Sequence, residues 1–269
     1  MVCCFFGKVN HGKMIDKPQD SISILVRENN DLREDIMSEL LELIDLTKSY
    51  GYGINAVDHV SVSLPRGKII GLLGPNGSGK TTMIKMINGI LRPTSGEIRI
   101  SGMEVGPETK ARVSYLPDRT YLAPGDTIRS ILEYFEDFYE DFSRDKAEQM
   151  LADLQIDPNA KMKTLSKGTK EKVQLILVMS RQADLYVLDE PIAGVDPAAR
   201  DYILRTILNN YRQDSSILIS THLISDIEQV LDEVLFMRQG KVILHTSAAA
   251  IREQQGKSVD AYFREVFAC

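Results

Sequence analysis

No stretch of this 269-residue chain approaches the roughly 20 apolar residues that a helix needs to cross a bilayer; the longest run, near residues 175–179, is short. Any work at a membrane therefore needs other chains to span it. An excess of positive charge is missing too. Lysine and arginine number 32 against 38 aspartates and glutamates, a net charge of −6, which speaks against a broad nucleic-acid surface, so no nucleic-acid partner is expected. Cysteine is scarce: Cys3, Cys4 and Cys269 are too few and too terminal for a disulfide framework, and a reducing cytoplasm suits them. Cys3-Cys4 beside Phe5-Phe6 lacks the partners that a metal or lipid site would need. A secretory leader is lacking as well, because the apolar opening is short and has no basic start. What remains, 43% hydrophobic and 26% charged, is the composition of a soluble globular protein with ample core for one large α/β domain or two small ones.

One segment organises the rest: Gly74-Pro75-Asn76-Gly77-Ser78-Gly79-Lys80-Thr81-Thr82. The apolar residues 68–73 ahead of it read as a strand buried on both faces. Met83, Ile84, Met86, Ile87, Ile90 and Leu91 behind it recur at helical spacing. Gly74, four residues, then Gly79-Lys80-Thr81 is the P-loop pattern in its strand–loop–helix setting. Its four fixed positions arise by chance in a chain this long at a rate on the order of 1%. Glycines let successive N–H groups turn inward toward phosphate oxygens, and the helix beginning near Gly79 points its positive end at the same anion. Lys80 then reaches the β- and γ-phosphates and Thr81 ligates Mg²⁺. The residues thus predict an ATP or other nucleotide phosphate site.

Residues 1–38 have no clear period and end in a charged run, which reads as a disordered or non-native extension. Codons for Arg33-Glu34-Asp35 can spell a purine-rich ribosome-binding sequence ahead of Met37, so translation is expected to begin at Met37. Leu41, Leu43 and residues 44–46 read as one strand, and alternating Val60, Val62 and Leu64 as another. Tyr50 and Tyr52 lie in a glycine loop between them, where a ring either stacks on adenine or simply packs. Turns at residues 92–96 and 101–102 bracket a strand at 97–100, and residues 113–116 form a core strand. Residues from about 127 to 182 read as helical throughout, with Ile128, Ile131, Leu132 and Phe135 on one core face.

A second site element follows. Leu185-Tyr186-Val187-Leu188 reads as a buried strand with Asp189 and Glu190 at its carboxyl end, where open α/β sheets gather their chemistry. Asp189 suits a hold on Mg²⁺, and Glu190 suits orienting or deprotonating an attacking water. Asp-Glu after a strand can also merely open a loop, but a P-loop in the same chain favours the functional reading. Asp196-Pro197 reads as N-cap and first position of a helix. His222 directly follows a strand at 216–221 that should lie beside the Asp189 strand, which suits sensing of the γ-phosphate. Residues 234–237 and 242–245 flank Gln239-Gly240 as a hairpin, with two short helices after it.

With these elements in place the chain, from about residue 40 to 246, resembles an ATP-binding cassette (ABC) ATPase, and more distantly the bacterial ABC-2 and Ytr-type exporter cassettes. Leu165-Ser166-Lys167-Gly168-Thr169 is similar to that family's signature, usually Leu-Ser-Gly-Gly-Gln, with Ser166 and Gly168 matching and Lys167 and Thr169 departing. Residues 193–196 resemble its D-loop, Ser220-Thr221-His222 its switch motif, and Tyr50 its adenine-stacking position. Asp118 stands where the family carries a glutamine that touches Mg²⁺ and senses the membrane partner. The resemblance implies an α/β P-loop NTPase fold with a mixed β-sheet core, an N-terminal antiparallel β subdomain and an inserted helical subdomain at about residues 119–182. It puts the ATPase domain at 39–246 and C-terminal helices at 247–269. It also implies that Ser166 and Gly168 complete a nucleotide held by another subunit, in a homodimer or a heterodimer with a second ABC ATPase. Transmembrane permease subunits are then the expected partners, with this chain cytoplasmic and peripheral on the inner face of the membrane. An exporter is the expected role; an importer ATPase or a soluble non-transport cassette is the alternative.

Overall fold

The computed structural model describes residues 39–51, 53–193, 195, 197–212 and 214–268. The extension at 1–38 with its Met37 start, the three cysteines, Tyr52 and the Asp196 cap lie outside the described residues. In chain order the elements are β1 (Glu39–Ser49), β2 (Asn55–Pro65), β3 (Ile69–Leu73), α1 (Lys80–Ile87), β4 (Ser95–Ile100), β5 (Met103–Glu104), α2 (Pro107–Arg112) and β6 (Val113–Leu116). Then come α3 (Ile128–Phe138), α4 (Arg144–Asp153), a 3₁₀ turn (Met162–Thr164), α5 (Lys167–Met179), β7 (Leu185–Asp189), α6 (Pro197–Asn210), β8 (Ser216–Thr221), α7 (Ile224–Ile227), β9 (Glu233–Arg238), β10 (Lys241–Ser247), α8 (Ala248–Gln255) and α9 (Val259–Val266).

Among the described residues, two sheets form. One is antiparallel in the order β2-β1-β4-β5, and the other is mixed in the order β10-β9-β3-β8-β7-β6. The expected antiparallel N-terminal part and mixed core sheet are both present. Within the mixed sheet β3, β8, β9, β7 and β6 run parallel, and β10 turns back antiparallel. Strand alternation assigns the two faces. Ile69 and Leu73 of β3 join the core shared with the helices of residues 128–179, whereas Ile70 and Leu72 join the core shared with α1 and the antiparallel sheet. Such a strand has no polar face to show water, which is why it reads as a continuous apolar run.

Three details depart from the sequence reading. Helix α1 stops at Ile87 because Gly89 takes a left-handed φ of 62°, so Ile90 leaves the helical face and is exposed. In β2, Val57 and Val60 are both buried although three apart, since His59 (φ 51°) makes a bulge between the Val57–Lys48 and Val60–Leu46 pairs that shifts the alternation. Finally, residues 127–182 are not helical throughout. Ser143 and Ser166 each accept the N–H three residues on and start new helices, separating α3, α4 and α5 with ordinary turns.

Two cations fasten these helices: buried Arg181 ties them to the sheet, and half-buried Lys146 ties them to one another. Arg181, 3% exposed, meets both oxygens of Asp141 at 2.9 and 3.1 Å, donates to the carbonyls of Val113 (2.6 Å) and Ala111, and stacks 3.9 Å from the Tyr139 ring centre. Lys146 donates to Met179 O (2.6 Å) and Asn210 O, at the carboxyl ends of α5 and α6. Burial lowers the Lys146 pKa, while the negative ends of two helices favour its charge.

Candidate functional site

The carboxyl ends of β3, β6, β7 and β8 lie at one edge of the sheet, and each strand delivers one expected site segment there. The loop after β3 lines a cleft of about 300 Å³ through Asn76, Gly77, Ser78, Gly79, Lys80, Thr81 and Thr82, joined by Ala56, Asp118 and Glu190. Gly79 has a φ of 109°, and a Cβ there would come within 2.1 Å of Ala56 O. A Cβ on Gly74 would sit 2.3 Å from Met237 O. No side chain fits either position, so the backbone can approach what it faces. The loop is braced from behind by the β9–β10 turn: Gly240 N–H donates to Ser78 O (2.8 Å) and Gly240 O accepts from Asp58 N–H (2.9 Å).

Lys80 heads α1 with its stem buried, and its ammonium donates to Gly74 O (2.7 Å) and Pro75 O (3.3 Å) across the loop it closes. Burial lowers its pKa, with Glu190 and Asp189 pulling the other way. Asp189, 1% exposed, shows the opposite effect. Burial raises its pKa, hydrogen bonds from Ser220 and Thr81 oppose the rise, and the Asp118 and Glu190 charges add to it. Its Oδ1 accepts from Ser220 Oγ and from Thr81 Oγ1 (3.4 Å), while its Oδ2 is buried with no hydrogen-bond partner among the described residues.

A buried carboxylate oxygen left unpaired beside a hydroxyl is costly unless something cationic completes it. Among the described residues no cluster of three or more histidine, cysteine, aspartate or glutamate side chains could hold a metal by itself. One carboxylate plus the Thr81 hydroxyl instead suits a hard ion such as Mg²⁺, which keeps waters and shares phosphate oxygens. The donor set therefore fits that ion.

Glu190 follows with a φ of 53°, held there because its N–H donates to Ser220 O (3.0 Å) and lies 3.2 Å from Ser220 Oγ. Its Oε2 lies 2.9 Å from His222 Nδ1. Ser220 thus contacts both carboxylate residues through the parallel pairing that sets Asp189 opposite it. The sequence reading named Ser220 only inside a motif. Its importance comes from the β7–β8 register, for which β8, buried along its whole length, offers no signal in the sequence.

Other expected residues lie apart from the cleft. Tyr50, 64% exposed, directly follows β1, with the Lys48 ammonium 5.6 Å from its ring centre. Ser166 caps α5, accepting Thr169 N–H (3.1 Å), and Gly168 faces open space. Lys167 extends into solvent, 3.9 Å from Glu171. Asp118 belongs to both the cleft and a neighbouring groove of about 630 Å³, which Tyr121, Tyr134 and Phe138 also line. No described helix is long and apolar enough to cross a membrane.

Comparison with known proteins agrees with this geometry. Residues 57–193 match the family described as ABC transporter. The chain is 31% identical over 222 residues to the SkfA peptide export ATP-binding protein SkfE of Bacillus subtilis (strain 168), covering 80% of this chain and 92% of that protein. It is 29% identical over 230 residues to the ABC transporter ATP-binding protein YtrB of the same organism, covering 84% and 78%. A solved ATP-binding subunit of an ABC transporter superposes with a TM-score of 0.74 at 30% identity, covering 84% of this chain and 99% of that one. A loop that admits no side chain at Gly74 or Gly79, an acid pair at the end of β7 and a histidine at the end of β8 are thus read together: this chain belongs to the ABC transporter family, as an ATP-binding, ATP-hydrolysing cassette.

Proposed function

We propose that the chain binds Mg·ATP in the β3–β7 cleft and, paired with a second cassette, drives export through separate transmembrane permease chains from the cytoplasmic face of a membrane. In this reading residues 74–82 hold the phosphates, with Lys80 at the β- and γ-phosphates, and Tyr50 stacks on adenine. Thr81, Asp189 and Asp118 would hold Mg²⁺, which would supply charge neutralisation at the phosphates. Glu190 accepts the proton of the attacking water, and His222 orients Glu190 and senses the γ-phosphate. Permease chains are assigned to the groove beside Asp118, whose exposed Tyr134 and Phe138 rings form an apolar patch suited to a partner. The export direction rests on the peptide-export name of SkfE.

The observation that carries this reading is that Ser166 and Gly168 line none of their own cleft. A helix N-terminus suited to phosphate is then completed by the nucleotide of a facing protomer. ATP-driven closure and reopening of such a pair is a two-state switch biased by ligand. Glu190→Gln tests it. Turnover should fall by about 10²–10⁴ with ATP binding retained, and gel filtration should show a dimer only with ATP. Turnover within a few-fold of wild type would remove Glu190 from this role, and an ATP-independent monomer would remove the paired cleft.

A further inference from the structure

Glu190 and His222 sit on two different loops, one leaving β7 and the other leaving β8. At their near ends the loops are held by strand pairing and by Ser220, as described above. At their far ends they are held by one side chain. Arg200, in the first turn of α6, donates through Nε to Val195 O (3.0 Å) and through Nη1 to Asp226 Oδ2 (2.7 Å). Val195 ends the turn that starts at Glu190, where Ala193 N–H donates to Glu190 O and Val195 N–H to Ile192 O. Asp226 lies in α7, four residues beyond His222. The guanidinium therefore ties the Glu190 loop to the His222 loop.

We propose that Arg200 is a positioning residue for hydrolysis: by bridging Val195 and Asp226 it fixes the spacing of the two loops and so keeps Glu190 Oε2 within reach of His222 Nδ1. The inference rests on the role given above to Glu190. A planar guanidinium suits the task because its rigid fork reaches two acceptors at a set angle, which the single ammonium of lysine does not. The bridge also joins the segment resembling a D-loop to the residues after the switch histidine, so both are expected to shift as one body. Arg200 touches no residue lining the phosphate cleft through either bond, so its loss should leave nucleotide affinity intact.

The test measures kcat, ATP affinity and thermal stability for wild type, Glu190→Gln, Arg200→Ala, Arg200→Lys, Asp226→Ala and the Arg200→Ala/Asp226→Ala pair. Misplacing a reacting group by an ångström costs up to about 10²-fold, so Arg200→Ala should lower kcat by about 10–100-fold with ATP Kd within about twofold of wild type. Arg200→Lys should recover part of the loss, and the double variant should be no worse than its poorer single, because the two residues act as one unit. Wild-type kcat in Arg200→Ala, or losses in Asp226→Ala and Arg200→Ala that simply add, would overturn the proposal. So would a fall in kcat matched by falls in ATP affinity and melting temperature, which marks a general structural role. The Glu190→Gln arm separates the two claims: if it is inactive while Arg200→Ala is fully active, only the Arg200 proposal fails. If Glu190→Gln turns over like wild type, both fail.

Discussion

The phosphate cleft and the helical attachment are both built from buried charge, yet they treat it in opposite ways. At the attachment Arg181 has a carboxylate, two backbone carbonyls and an aromatic face, so its charge is fully answered. In the cleft Asp189 keeps one buried oxygen unanswered, as does the Ser78 hydroxyl among the described residues. Lys80 and Asp189 are both pushed toward their neutral forms by burial. A buried ion that is satisfied contributes to the fold; one left incomplete stores a cost that a ligand of opposite sign removes. The contrast is between Arg181, whose charge the fold itself answers, and Asp189, whose second oxygen is left for a ligand.

The strongest way to break this contrast is at Arg181. Arg181→Met leaves Asp141 and two carbonyls without their donor, and breaking a buried pair costs about 3–5 kcal/mol. Asp141 retains some access to water, which puts the expected loss at the lower end. With about 2–4 °C per kcal/mol for a domain of this size, calorimetry should show melting roughly 10 °C lower. An unchanged melting temperature would mean the attachment is no firmer than the cleft.

Asp189→Asn probes the other side and should act with the opposite sign on stability. Without nucleotide, an amide at this buried position removes a carboxylate whose folded pKa is raised, so the variant should melt at or above wild type. The gap should follow pH. A raised folded pKa means that Asp189 favours the fold while protonated and loses that benefit as pH rises through the folded value. The variant's advantage should therefore be greatest above that raised value and shrink as pH falls through it. Stabilisation by Mg·ATP, large in wild type, should be lost. A variant that melts below wild type at pH 7 without nucleotide would show that the cleft carries no stored cost.

Tyr50 gives the smallest effect. It is exposed and outside the cleft lining, so Tyr50→Ala should weaken ATP binding by about 0.5–1.5 kcal/mol, with Tyr50→Phe near wild type by equilibrium titration. Equal affinity in Tyr50→Ala would return this ring to simple packing.

What could be read in the sequence was what chemistry forces to be contiguous. Gly74 to Thr82 is one loop because a phosphate must be wrapped by successive amides, and the Asp189-Glu190 pair follows a strand whose apolar run is unmistakable. What could not be read depends on register or on backbone sign. Ser220 matters because the β7–β8 pairing aligns it with Asp189. The His59 bulge and the end of α1 at Gly89 depend on left-handed φ values that no hydrophobic period reveals. Arg200 was invisible because its partners, Val195 and Asp226, are neighbours only in the folded chain.

Tips of two-residue hairpins are where engineers ordinarily place epitope tags or splice in a foreign loop, since chain ends and turns tolerate additions best. The Gln239-Gly240 tip is unsuited to that use. Its amide and carbonyl grip Ser78 and Asp58, and a Cβ on Gly240 would already press to 3.0 Å from Asn55 O. Lengthening it by even a few residues would slacken the phosphate loop from behind, disabling nucleotide capture from some 160 residues downstream in the chain.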